Sequence, residues 1–127
     1  MKILSRIKSL IPTKRDIQFL YQRLTRGWDD SDTWSLDYPI AKFIRPRLER
    51  FRDLKCGHPC SMTEEEWDKI VDEMIFGFKW IIEDNSSHAF YVRGVFSQEL
   101  FDIHYKQGDR AQAAMELFGK YYMHLWW

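Results

Sequence analysis

The segment from Thr63 to Ile82 constrains this chain more than any other. Thr63 and Glu66 stand at the spacing of a capping box, in which a threonine hydroxyl and a glutamate carboxylate each accept the other residue's backbone N–H at a helix start. Glu64 and Glu65 add negative charge where the helix dipole is positive. Behind this start, Trp67, Ile70, Val71, Met74, Phe78 and Ile81 recur at helical spacing as one stripe, and Ile75, Phe76 and Trp80 extend apolar character around the cylinder. A helix apolar over so much of its circumference either lies at the centre of a fold or forms part of an oligomer interface. The spacing predicts an α-helix from Glu64 to Ile82 with the rest of the fold built around it.

The same period runs through most of the chain. Ile3, Leu4, Ile7 and Leu10 share one side of a short amphipathic helix over Lys2–Leu10, which Pro12 interrupts. Thr13 is an N-cap with Asp16 in the capping-box position, Ile17, Leu20, Tyr21 and Leu24 continue at helical spacing, and Gly27 is a stop. Trp28 to Asp37 reads as a polar loop carrying two tryptophans. Asp37 caps the next helix, with Pro39 in its first turn. There Ile40, Phe43, Ile44, Leu48 and Phe51 mark a buried face opposite Lys42, Arg45, Glu49 and Arg52, and Pro46 should kink the helix. Cys56 to Met62 is a turn broken by Gly57 and Pro59, and Asp84 to Ser87 is a loop. The stretch from His88 to Phe96 leaves helix and extended structure open, with Phe90, Val92, Gly94 and Val95 compatible with a short strand. Ser97 caps a short helix through Tyr105, and Gly108 and Asp109 introduce a last helix bearing Ala114, Leu117, Phe118, Tyr121, Tyr122 and Leu125. The expected fold class is all-α, a compact bundle of about four to six helices in a single domain over residues 1–127.

Charge and composition narrow the function classes. Lys plus Arg equals Asp plus Glu at 19 each, so the basic signature of a protein that binds extended nucleic acid is missing. The balance is uneven along the chain. Seven basic residues stand against Asp16 between Met1 and Gly27, and four aspartates (Asp29, Asp30, Asp32, Asp37) follow without a base, which offers complementary patches between copies. Six Trp, nine Phe and six Tyr exceed the needs of a small core, so some should face a partner or ligand. No apolar run is long enough to cross a bilayer, the Met1–Leu10 segment lacks the continuous apolar centre of a signal peptide, and two cysteines make no disulfide framework. These features predict an intracellular protein without a membrane partner.

Several groups could carry chemistry. Trp28-Asp29-Asp30-Ser31-Asp32-Thr33-Trp34 clusters carboxylates that could hold a hard cation, although it lacks the glycine and closing glutamate of an EF-hand. Its plainer reading is a loop of turn residues with Trp28 and Trp34 as core anchors. Glu65, Asp68 and Asp72 form an acidic row on one helix face that could hold magnesium, with no second acidic pair at clean spacing. Cys56, His58 and Cys60 share one turn, and a zinc site there would need a further ligand from His88, His104 or His124. Arg26, Arg45 and Arg47, with Arg50 and Arg52 nearby, could grip phosphates beside aromatic faces; alternatively they are a solvated face with salt bridges to the aspartate loop. No nucleophile elbow, glycine-rich phosphate loop or metalloprotease helix occurs, and no metal or other cofactor is expected. The candidate ligand- or partner-binding residues are therefore Arg26, Trp28, Asp29, Asp30, Asp32, Trp34, Arg45 and Arg47.

The run Thr25-Arg26-Gly27-Trp28-Asp29-Asp30-Ser31-Asp32-Thr33-Trp34-Ser35-Leu36-Asp37, with Ile40-Ala41-Lys42-Phe43-Ile44-Arg45-Pro46-Arg47-Leu48, resembles small proteins of tailed bacteriophages that carry no assigned activity. Thr63-Glu64-Glu65-Glu66-Trp67 and Leu117-Phe118-Gly119-Lys120-Tyr121-Tyr122 before Leu125-Trp126 look similar too. The resemblance implies a phage origin, and so the cytoplasm of an infected bacterium, but no mechanism. Small accessory proteins of this kind act mostly by binding. The leading expectation is a non-enzymatic counter-defence protein that binds or sequesters a host defence protein or a nucleotide immune signal. The alternatives are a magnesium-dependent nucleotide pyrophosphohydrolase using Glu65, Asp68 and Asp72, and a virion or assembly component. The apolar circumference of the Glu64–Ile82 helix, the Leu125-Trp126-Trp127 ending and the complementary patches also predict a homo-oligomer, most simply a two-fold dimer.

Overall fold

Four α-helices carry the described residues of the computed structural model, which are 11–83 and 90–126. They are α1 (Lys14–Arg26), α2 (Asp37–Leu54), α3 (Glu64–Glu83) and α4 (Gln98–Tyr121). The Lys2–Leu10 helix, the Asp84–Ser87 loop, His88 and Trp127 fall outside the described residues. The all-α class holds, with a two-stranded hairpin as the only sheet among those residues. No described helix is long and apolar enough to cross a membrane. The chain groups into two compact units, Met1–Leu36 and Asp37–Trp127. Each is described by itself.

In the first unit, α1 starts on the expected capping box. The Thr13 N–H donates to the Asp16 carboxylate at 2.7 Å, and the Asp16 N–H donates to Thr13 Oγ1 at 3.2 Å. It stops at Gly27, whose φ of 82° is open to glycine without a steric cost. The aspartate loop that follows contains one short 3-10 turn, η1 (Asp30–Thr33). None of the side chains of α1 is buried, and Ile17, Leu20, Tyr21 and Leu24 all stand in water.

In the second unit, α3 is the central helix. Its start is the predicted box, with the Thr63 N–H donating to Glu66 at 2.8 Å and the Glu66 N–H to Thr63 Oγ1 at 3.2 Å. It packs against α2 on one side and α4 on another, burying Trp67, Val71, Met74, Gly77 and Phe78. Most of the apolar circumference is thus covered within the chain, and it no longer argues for an oligomer interface. The α3–α4 contact is narrowest at Gly77, which lies against Ala111 and Ala114. Edge-to-face rings also hold the helices together, Phe78 with Phe118 at 5.0 Å and Trp67 with Tyr121 at 5.5 Å.

Two expectations for α2 and α4 need correction. The buried side of α2 is Ala41, Leu48 and Phe51 with Ile44 half-buried, whereas Ile40 and Phe43 are exposed. The line that meets α3 runs through positions 41, 44, 48 and 51, and 40 and 43 fall off its edge. Pro46 sits inside the helix, where it has no N–H to give the Lys42 carbonyl. One residue on, the Arg47 guanidinium donates to the Phe43 carbonyl at 2.8 Å. The short helix and the last helix are a single α4. Gly108 lies inside this continuous helix, at a place where a side-chain Cβ would come into ordinary contact with the Trp80 indole. The open stretch before α4 is a β-hairpin, β1 (Tyr91–Val92) against β2 (Val95–Phe96). Its two loop residues, Arg93 and Gly94, both have positive φ (51° and 80°), the backbone that matches strand twist in a two-residue loop. Phe90, Phe96 and Phe101 join this hairpin to the start of α4.

Candidate functional site

The residues singled out from the sequence fall into both units. In the first, Asp29 caps η1 and is fully buried, at 0% exposure. One carboxylate oxygen accepts the Ser31 N–H at 2.8 Å and the Ser31 hydroxyl at 2.5 Å, and the other accepts Arg23 Nε. The Ser31 hydroxyl, then the Ser31 amide and Arg23, hold this carboxyl below the ordinary aspartate range against the opposing effect of burial. Asp32 accepts the Asp29 N–H at 3.2 Å, closing a second capping box. Asp30 accepts Gln22 Nε2 at 2.8 Å on one oxygen and Arg26 on the other. Gln22 first, and Arg26 second, lower its pKa. The guanidinium of Arg26 also lies 3.7 Å from the centre of the Trp28 ring.

This network brings Arg26, Trp28, Asp29, Asp30 and Asp32 together and occupies them. Every carboxylate oxygen of Asp29 and Asp30 already accepts from a protein donor, so the cluster offers a cation no free pair of ligands. Trp28 and Trp34 are not core anchors. Trp34 is 68% exposed, touching the Phe19 edge and the Arg15 guanidinium, and Trp28 is also exposed. The loop holds its shape through ions and amides, which removes the need for an apolar anchor.

Arg45 and Arg47 belong to the second unit. Arg45 pairs with Glu49 at 3.0 Å and Glu83 at 3.7 Å, and Arg47 lies 3.7 Å over the Phe43 ring. The acidic row on α3 meets cations where a metal site would need carboxylates. Asp68 pairs with Arg52 at 3.2 Å and with the buried Lys55, and Asp72 pairs with Arg52 at 2.9 Å. Cys56, His58, Cys60 and His124 line one pocket of about 540 Å³, with Trp67 and Trp126 beside them. Yet among the described residues no three His, Cys, Asp or Glu side chains stand close enough to hold a metal ion. His104 lies elsewhere, against Trp80 and Phe90.

Comparison with protein-family models, curated proteins and solved structures finds no match. What the structure adds is that residues which periodicity marked in two separate segments share one surface. Ile44, Leu48, Phe51, Phe118, Tyr122 and Leu125 line an apolar groove of about 190 Å³ with Arg47 at its rim. Tyr122, Met123 and Trp126, at the end of α4 and beyond, are exposed, Trp126 at 75%. Sequence reasoning also missed Arg23, Gln22 and Ser31 as the partners of the aspartates. The Asp29-to-Asp32 spacing, a capping-box pattern, was a signal for the Ser31 contact but not for Arg23 and Gln22.

Proposed function

We propose that this is a non-enzymatic accessory protein of a tailed bacteriophage, that it works in the cytoplasm of the infected bacterium by binding a host defence protein, and that it self-associates. The phage origin rests on the resemblance carried by the Arg26–Asp37 run. The binding reading rests on one observation above all, the apolar groove of Ile44, Leu48, Phe51, Phe118, Tyr122 and Leu125 with exposed Met123 and Trp126 beyond the end of α4. A groove of aliphatic and aromatic side chains with an arginine rim suits an apolar segment of a protein partner. A nucleotide signal is the weaker alternative, because Arg26, Arg45 and Arg47 are already engaged by carboxylates or rings. The same holds for the magnesium hydrolase, whose Asp68 and Asp72 face Arg52 and Lys55.

Native mass spectrometry of the protein taken directly from infected cells tests this reading. The expected result is a discrete complex with one host protein that is lost in the Tyr122→Glu, Met123→Glu double variant. A retained nucleotide, magnesium-dependent turnover across a nucleotide panel, or recovery of the chain only in purified particles would each replace it.

A further inference from the structure

The connection between α2 and α3 carries both cysteines of the chain, Cys56 and Cys60, and both thiols are free and exposed. The helices it joins run antiparallel, side by side. Arg52, near the end of α2, pairs with Asp68 and Asp72 near the start of α3, and Arg45, two turns earlier, pairs with Glu83 at the far end. The axes of packed helices lie about 8–10 Å apart. Fully extended, residues 55–63 could reach about 30 Å, at about 3.3 Å per residue. The connection therefore doubles back on itself, with Cys56 on its outgoing limb and Cys60 on its returning one.

Both limbs are held at their roots. Lys55 is buried beside Asp68, and its N–H donates to the Phe51 carbonyl at 2.9 Å. The Met62 N–H donates to the Pro59 carbonyl at 3.2 Å, and Met62 packs on the core. Between these roots, among the described residues, no backbone hydrogen bond ties residues 56–58. The loop can thus bend to bring its thiols together without breaking a backbone contact, while its ends stay fixed. Cys56, His58 and Cys60 line the same pocket of about 540 Å³ as Trp67, His124 and Trp126. Buried thiols are inert, whereas exposed ones exchange with disulfides in solution. A single exposed thiol stops at a mixed disulfide, and a second thiol within reach resolves it into an internal bond.

We propose that Cys56 and Cys60 are a redox-active pair that exchanges with small disulfides of the glutathione class and closes into a Cys56–Cys60 disulfide across the loop. One thiolate, its proton released to water, attacks a sulfur of oxidised glutathione. A protein–glutathione S–S bond forms, the glutathione S–S bond breaks, and one glutathione leaves. The other cysteine thiolate then attacks the protein-side sulfur of this mixed disulfide, and the second glutathione leaves. Two electrons pass from the cysteine pair to glutathione, which takes up two protons as the pair releases two. Closure fixes the Cys56–Ser61 side of the pocket, so the pocket's shape follows the redox state of its surroundings. This is independent of the host-protein reading and needs no partner chain.

Intact mass spectrometry tests it on the purified, fully reduced chain at micromolar concentration, incubated with oxidised glutathione, quenched with acid and treated with N-ethylmaleimide. The expected product is a single chain lighter by two hydrogens that takes up no maleimide, and takes up two after reduction. Cys56→Ser and Cys60→Ser should each stop one glutathione heavier, with unchanged circular dichroism. Tryptophan fluorescence should differ between the oxidised and the reduced parent, and the same treatment should leave the Cys56→Ser, Cys60→Ser double variant unaltered. A parent that ends with two glutathiones, stays a free dithiol or joins to a second chain would overturn the pairing. Equal fluorescence in the two redox states would overturn its link to the pocket.

Discussion

Replacing Gly77 by alanine forces a Cβ into the narrowest part of the α3–α4 contact. An ideal Cβ there would sit 2.5 Å from the Ala114 Cβ, 2.8 Å from the Met115 Cε and 3.3 Å from the Ala111 carbonyl oxygen. Carbon atoms pack comfortably at about 3.5–4.0 Å. The Met115 methyl ends a flexible side chain and can swing aside, but the Ala114 Cβ is fixed to its backbone, so the helices must part by about 1 Å. Parting them loosens the Phe78–Phe118 and Trp67–Tyr121 ring pairs between the same two helices. Helix propensity works the other way, favouring alanine over glycine by about 1 kcal/mol. Overpacking costs of about 1–3 kcal/mol are typical, and here the immovable atom belongs to a helix. The net expectation for Gly77→Ala is a loss of about 1–2 kcal/mol, read as a lower urea midpoint at unchanged slope by helical circular dichroism. Ala114→Gly should rescue part of that loss, so the double variant is more stable than the two single losses add up to. A Gly77→Ala protein as stable as the parent, or strict additivity in the cycle, would refute the close approach.

Trp34→Ala should cost less than about 1 kcal/mol in the same assay, against about 3 kcal/mol for a core tryptophan, and the larger figure would restore it as an anchor. Lys55→Ala should cost about 1–3 kcal/mol, because the Lys55 side chain is 3% exposed and its loss leaves Asp68 with Arg52 alone. By contrast Glu73→Gln, which breaks the half-exposed pair with Arg110, should cost at most about 1 kcal/mol, and equal costs would show that burial does not separate the two pairs. The Asp29 carboxyl is depressed in the folded chain, so its ionised form stabilises. That contribution is complete above the ordinary aspartate value of 3.8 and falls away as pH descends toward the lower folded value. Trp28 and Trp34 fluorescence should therefore hold steady down to that range and change below it, whereas a change near neutral pH would contradict the Arg23 and Ser31 network.

The sequence reading succeeded where a backbone need had one local solution. Thr63 with Glu66 and Thr13 with Asp16 are such cases, since the orphan N–H groups of a helix start are satisfied within four residues. It failed where tertiary contact decides. Gly108 looked like a break because glycine is a poor helix former in isolation, but the helix runs through it from Gln98 to Tyr121. Ile40 and Phe43 looked buried because they are apolar, yet α3 meets α2 one position around. Gly77 drew no attention, since its role depends on Ala111 and Ala114 more than thirty residues away. The aspartate loop shows the same limit at the candidate site. A salt bridge from Arg26 to this loop was among the sequence readings, but that Arg23, Gln22 and Ser31 also reach its carboxylates is visible only in the fold.

Among residues 11–36 the one buried residue is a carboxylate held by guanidinium, hydroxyl and amide groups, and such a region responds to its surroundings unlike one filled with hydrocarbon. Opening it wets little additional apolar area, so the heat-capacity increment of that step is small and its free energy runs nearly flat with temperature. Dissolved electrolyte, which barely touches an oily interior, weakens the exposed Arg26–Asp30 link directly. The two parts of this chain therefore obey different controls. Warming and cooling act on the packing around Trp67 and Met74, where the second unit buries its hydrocarbon, whereas α1 is held to its loop by contacts that ionic strength reaches.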